Sequence, residues 1–192
     1  MNFIGHAYLS GESEKALLIN FTADLLPLNY KNQLEGEYLK GLRIHYAIDE
    51  FTDQHPYVRE MRQNLFESYS HYSRVIVDIL LDHYLITHWK QLDNSQDLST
   101  YLATIKKDLL KQKDQLPLNA QNVLDLLIDK DWMGRYGSIT GIKESLWEFS
   151  HRTEGSLVLR DSYVEFIAYY HEWQKGYLPF MQELQAHLRS LY

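Results

Sequence analysis

Two segments hold the side chains whose types and spacing could do chemistry. Val75–Trp89, reading VIVDILLDHYLITHW, sets Asp78, Asp82 and His83 in a stretch otherwise almost wholly apolar. A helix that is apolar on nearly every face is normally buried. An ionised carboxylate in such surroundings is strongly disfavoured unless it is paired or bound to a metal. Asp78 and Asp82 also stand one turn apart, where like charges repel, so something cationic must offset them. Upstream, GLRIHYAIDEFTD carries His45, Asp49 and Asp53 at i, i+4 and i+8, which places all three on one helix face. Ile44, Ala47, Ile48 and Phe51 flank that face, so part of it should lie against other helices. His6 and Asp24 complete the set, Asp24 near the C-terminal end of its expected helix, where the macrodipole disfavours negative charge. Imidazole together with carboxylate suits hard or borderline divalent ions such as Mn²⁺, Mg²⁺ or Fe²⁺. Two such helices facing each other could hold one or two ions in the core of a bundle.

Each residue also has a plainer reading. His45 and Asp49 could be an ordinary i, i+4 ion pair, and Asp53, just before His55-Pro56, could cap a helix or turn. Asp78 and Asp82 could pair with arginines such as Arg43 or Arg74, and His6 alone could be a satisfied core histidine. The metal reading rests on the cluster, because all of these would have to hold at once. His55, His71, His88, His171 and His187 read as surface or packing residues. A ferritin-like di-iron site needs Glu-x-x-His from two helices, and only Glu148-Phe-Ser-His151 fits. A Gly-rich phosphate loop followed by Lys and a Gly-x-Ser-x-Gly elbow are both missing from the sequence.

The elements that must position these groups read as helices throughout, with no alternating run strong enough for a strand. The pattern predicts helices near 2–10, 14–26 (Ser13 as N-cap, Pro27 just after its end), 35–53, and one starting at His55-Pro56. A central helix follows near 72–92, then others near 98–114, 119–132 and 138–150, and a long last one near 158–190, bent at Pro179. The 192 residues suit one all-α domain spanning the chain, with a sizeable core. There are no cysteines, which excludes disulfides, thiolate zinc sites and a cysteine nucleophile. The N-terminus lacks a basic n-region, and no apolar run approaches the roughly 20 residues needed to cross a bilayer, so a cytoplasmic protein is expected. A net charge of −7 argues against a nucleic-acid binder while leaving room for a local basic patch.

The segments MNFIGHAYLS, INFTADLL, GLRIHYAIDEFTDQHP, VDILLDHYLITHW and, more weakly, WMGRY and FSHRT resemble the acyl carrier protein phosphodiesterase family, in the same order and spacing from Met1 to about Arg152. The resemblance implies a single-domain helical bundle related to the HD-type metal-dependent phosphohydrolases, with the motif order rearranged. It implies a Mn²⁺-dependent hydrolysis that removes 4′-phosphopantetheine from holo acyl carrier protein, an acidic helical partner. His6, Asp24, His45, Asp49, Asp53, Asp78, Asp82 and His83 fall on positions that match the family pattern. Ile19 stands where the family often has glycine, Leu28-Asn29 replaces a basic stretch, and Tyr46 stands where arginine is usual.

On that basis Asp24, His45, Asp78 and Asp82 are the expected metal ligands, with Asp49 orienting an imidazole. His6 or His83 would move protons, and Arg43 or Arg152 would stabilise charge on the phosphoryl oxygens. Ligands and proton carriers of these types can exchange roles without altering the motif. Lys40 with Arg43, Arg59 with Arg62, and the Lys106/Lys107/Lys111/Lys113 run are candidate patches for the acidic partner, the last reading better as a solvated helix face. Two other functions fit the same residues: hydrolysis of a nucleotide or another small phosphate ester, and a non-catalytic helical protein whose acids are paired with arginines.

Overall fold

A computed structural model describes residues 1–93, 95–152, 159 and 161–192, with only the backbone of Arg152. The chain is all-helical over these residues: α1 (Phe3–Tyr8), α2 (Glu14–Thr22), α3 (Leu28–Lys31), α4 (Gly36–Gln54), α5 (Pro56–Tyr69), α6 (Ser73–Thr87), α7 (Trp89–Leu92), α8 (Leu98–Gln112), α9 (Leu118–Asp129), α10 (Trp132–Arg135), α11 (Ile139–Arg152) and α12 (Tyr163–Leu188). Helix starts follow local chemistry. Ser13 accepts the Ala16 N–H and Asp97 the Thr100 N–H, each satisfying a donor left over at a helix start. His55 Nδ1 accepts the Tyr57 N–H, with Pro56 at the first helical position. The expected helix 14–26 ends early, its last turn tightening to a 3₁₀ turn over Ala23–Leu25 that carries Asp24. The short α3 was not anticipated, and α12 continues through Pro179 as one element.

The apolar central segment is α6, and Ile76, Val77, Ile79, Leu80, Leu81, Tyr84 and Leu85 are fully buried on it. Helices α1, α5, α11 and α12 pack around it. On the side that carries the site, α2 and α4 approach most closely. A Cβ on Gly41 would meet the Ala16 carbonyl oxygen at 2.4 Å and its Cα at 2.8 Å, so only glycine admits this approach. One turn further along each helix lie Asn20 and His45, and the tight crossing therefore sets their separation.

Candidate metal centre

The α2–α4 crossing aims His45 back at α2, where its Nδ1–H donates to the Asn20 carbonyl oxygen at 2.9 Å. A carbonyl oxygen only accepts, so Nδ1 keeps its hydrogen and Nε2 is the nitrogen that faces the carboxylates. Asn20 orients a second imidazole with its side chain. Its Nδ2 donates to the His6 carbonyl oxygen at 2.7 Å and to Ser10 Oγ at 2.9 Å, which leaves Oδ1 to accept from His6 Nδ1 at 2.8 Å. His6 Nε2 is thereby left as a lone pair. The two rings stack with centroids 4.3 Å apart, and both Nε2 atoms point at Asp49: His6 Nε2 lies 3.2 Å from Oδ1 and His45 Nε2 3.1 Å from Oδ2. Asp24 Oδ1 stands 3.3 Å from His45 Nε2 on a carboxylate that is 82% exposed, so the site opens to solvent on that side.

These contacts set the electrostatics. Burial disfavours the charged form of His45, but the Asp24 and Asp49 carboxylates outweigh it and raise the imidazole to about 9. Burial of His6 lowers its pKa and keeps that ring neutral. Burial acts to raise Asp49, yet the hydrogen bond from His45 and the close approach of both imidazoles hold its carboxyl far below the usual range. Asp24 is likewise held down by its hydrogen bond to His45. With His6 neutral, one proton on His45 is all that separates two imidazole lone pairs from two carboxylates. That donor set fits a divalent cation, because each ring has its Nδ1–H committed to a hydrogen bond, which leaves Nε2 as the ligating atom once His45 gives up its proton. Among the described residues, His6, His45 and Asp49 form a possible divalent-metal triad whose ligand atoms lie within 4.8 Å of one another.

The profile of the acyl carrier protein phosphodiesterase family matches residues 1–184. The chain belongs to that family. The acyl carrier protein phosphodiesterase of Pectobacterium atrosepticum is 30% identical over 174 residues, covering 91% of this chain and 90% of the relative. Those of Yersinia pestis and Serratia proteamaculans are 27% and 25% identical, covering 94% and 99% of this chain and 93% and 98% of the relatives. No solved structure matches the chain at a significant level.

In this member of the acyl carrier protein phosphodiesterase family the expected residues divide. His6, Asp24, His45 and Asp49 come together, whereas Asp78 and Asp82, expected as metal ligands, and His83, expected as a proton carrier, take other partners. Asp82 is fully buried and accepts the N–H groups of Asn2, Ile4 and Gly5 at 3.1, 2.8 and 3.1 Å. It caps the N-terminus of α1 from α6, where a carboxylate meets orphan donors and a favourable dipole. Burial pushes its carboxyl up to about 7, against the pull of those three donors. Asp78 is held by the Met1 ammonium at 2.9 Å and by Arg62 at 3.7 Å. The cation that must offset these two acids is therefore a helix terminus and ordinary positive groups. His83 bonds the Tyr136 carbonyl oxygen at 2.7 Å through Nδ1 and the Tyr170 hydroxyl at 3.1 Å through Nε2. Asp53 ends the ladder in ion pairs with Arg62 at 2.6 Å and Arg74 at 3.7 Å.

Arg43 is exposed on α4, one turn before Tyr46, and the side chain of Arg152 lies outside the described residues. At Tyr46 a cation arrives from an element the sequence did not reveal: Lys31 of α3 lies over the ring, Nζ 5.7 Å from its centroid, and the ring stands edge-on to His45 at 5.8 Å. Asn20, which holds both imidazoles, also escaped the sequence reading. Its signal was available, since it is a fully buried amide in the apolar run LLINF and a buried polar group needs partners.

Proposed function

We propose that the protein is a metal-dependent phosphodiester hydrolase that removes 4′-phosphopantetheine from holo acyl carrier protein, with Mn²⁺ as its ion. The observation that carries the reading is the paired orientation of His6 Nε2 and His45 Nε2 on Asp49, enforced through one asparagine. His6, His45 and Asp49 would hold the ion, with Asp24 beside them at the open edge. When bound, a divalent ion supplies a Lewis acid for the phosphoryl group and lowers the pKa of water toward neutrality. Asp24, ionised and solvent-facing, would take the proton of the attacking water. Lys31, lying over Tyr46, and Arg43, one turn before that residue, are the cations for the phosphoryl oxygens. His83 and Asp82 serve packing and helix capping in this reading, and Asp78 anchors the start of the chain.

Incubating the purified protein with Mn²⁺ and holo acyl carrier protein, followed by mass spectrometry of the carrier, tests the proposal. The expected result is loss of the phosphopantetheine mass with the wild type and none with H45A or D49N. Undiminished release by H45A would remove the basis of the reading.

A further inference from the structure

The chain is acidic overall, yet beside the metal residues it presents a cleft rich in arginine. Asp53 lies one turn past Asp49, about 6 Å along α4, and there the surface opens into a cleft of about 530 Å³ between α5 and the start of α6. Arg59, Arg62 and Phe66 of α5 line it, together with His71, Arg74 and Asp53. The spacing 59, 62, 66 keeps these α5 residues on one helix face, while Glu60 and Glu67 fall outside the lining.

The arginines are not equivalent. Arg62 is 13% exposed and clamped between Asp53 and Asp78, so it fastens α4, α5 and α6 together and is not free to meet a partner. Arg59 is exposed and has no ion pair among the described residues. Arg74 is 68% exposed and makes one long contact, 3.7 Å to Asp53. Phe66, 60% exposed, adds an apolar surface to the lining. The lysine run on α8 offers nothing comparable, because Lys106, Lys111 and Lys113 pair with Asp131, Glu14 and Asp125. An acidic partner approaching a molecule of net charge −7 is repelled over most of the surface, and this cleft is a locus of attraction within a turn of the triad.

We propose that the cleft seats an acidic helix of the carrier protein, with Arg59 and Arg74 as its charge contacts and Phe66 as its apolar one. The proposal rests on the hydrolase reading for the identity of the partner, and it revises one of the three candidate patches, Arg59 with Arg62, since Arg62 is committed to the fold. It places the carrier's surface next to the metal residues, as cleavage of a bond at that surface requires.

The test is a titration of ¹⁵N-labelled apo carrier protein, the reaction product and so not turned over, with wild type, R59E, R74E, the double reversal and F66A. Lys107→Glu, on the α8 face, controls for the change in net charge. The expected result is at least fivefold weaker binding for each single reversal and for F66A, at least twentyfold for the double, and no change for K107E. Wild-type binding should also weaken as salt is raised from 50 to 200 mM. Double-reversal binding within twofold of wild type, equal weakening by K107E, or no wild-type binding overturns the proposal. Release of phosphopantetheine from holo carrier is measured in parallel. If wild type binds through the cleft but releases nothing, the hydrolase reading fails and the docking stands. If it releases the group while the reversals bind normally, only the docking falls.

Discussion

Asn20→Leu isolates the claim that one amide sets the ligating tautomer of His6. The substitution removes the acceptor of His6 Nδ1–H and the two bonds donated by Nδ2. The His6 carbonyl oxygen stays satisfied, because Ser10 Oγ also donates to it at 2.7 Å. The His6 ring then has a remedy: it moves its proton to Nε2 and donates to Asp49 Oδ1, already 3.2 Å away. The fold therefore avoids most of the roughly 1–3 kcal/mol that an orphaned buried donor costs. The ligating lone pair, however, is lost to that proton. Outer-shell partners of this kind are worth about 10–100-fold in metal affinity, or about 1.4–2.8 kcal/mol. The His45 bond to the Asn20 backbone oxygen is untouched, so one of the two imidazoles keeps its orientation and binding should weaken without vanishing. Competition between the protein and a Mn²⁺-chelating dye gives the affinity, and thermal melting by circular dichroism reports the fold. Wild-type Mn²⁺ affinity in a folded Asn20→Leu protein would refute the tautomer argument.

The remaining expectations use the same contacts. Because the folded pKa of His45 is raised to about 9, its contribution to the stability of metal-free protein is full below the ordinary 6.5 and is lost as pH rises through about 9. Urea unfolding with a chelator present should show that loss between about pH 7 and 10. Mn²⁺ affinity should run the other way, tightening by nearly tenfold per pH unit up to about pH 9, because binding expels that proton. Gly41→Ala should lower the melting temperature: the roughly 1 kcal/mol gained in helix propensity is outweighed by about 1–3 kcal/mol of overpacking against the unyielding Ala16 backbone, and a higher melting temperature would count against the tight α2–α4 crossing. Asp82→Asn sets an amide NH₂ or a single acceptor against three N–H donors, at a cost of about 1–3 kcal/mol. Its Mn²⁺ affinity should fall by less than tenfold, through looser seating of α1, whereas a hundredfold loss would restore Asp82 as a ligand.

Most of the helices were legible because their ends carry local signals. Ser13, Asp97 and Pro56 mark starts that depend on neighbouring backbone alone, and the apolar Val75–Leu85 run announces a central helix whatever surrounds it. What failed was local structure decided elsewhere. The 3₁₀ turn at Ala23–Leu25 and the short α3 have no periodic face to read, yet they place Asp24 and Lys31 at the edge of the site.

The site was half legible, and the missing half has one cause. Spacing along a helix identifies which residues share a face, so His45 and Asp49 were visible as partners at i, i+4. It does not say which face of a buried helix meets which neighbour. Asp78, Asp82 and His83 sit in α6, surrounded by α1, α5, α11 and α12; the two acids turn to the N-terminal segment and His83 to Tyr136 and Tyr170. The cationic partner expected for α6 is present at Asp78, as the Met1 ammonium and Arg62, whereas at Asp82 three amide donors at the start of α1 face the buried carboxylate. The same contact serves the site indirectly. Asp82 holds α1 by its N-terminus, and the first turn of α1 carries His6 to Asn20 and Asp49. A buried carboxylate can serve by seating a helix, and spacing alone cannot separate that role from ligation.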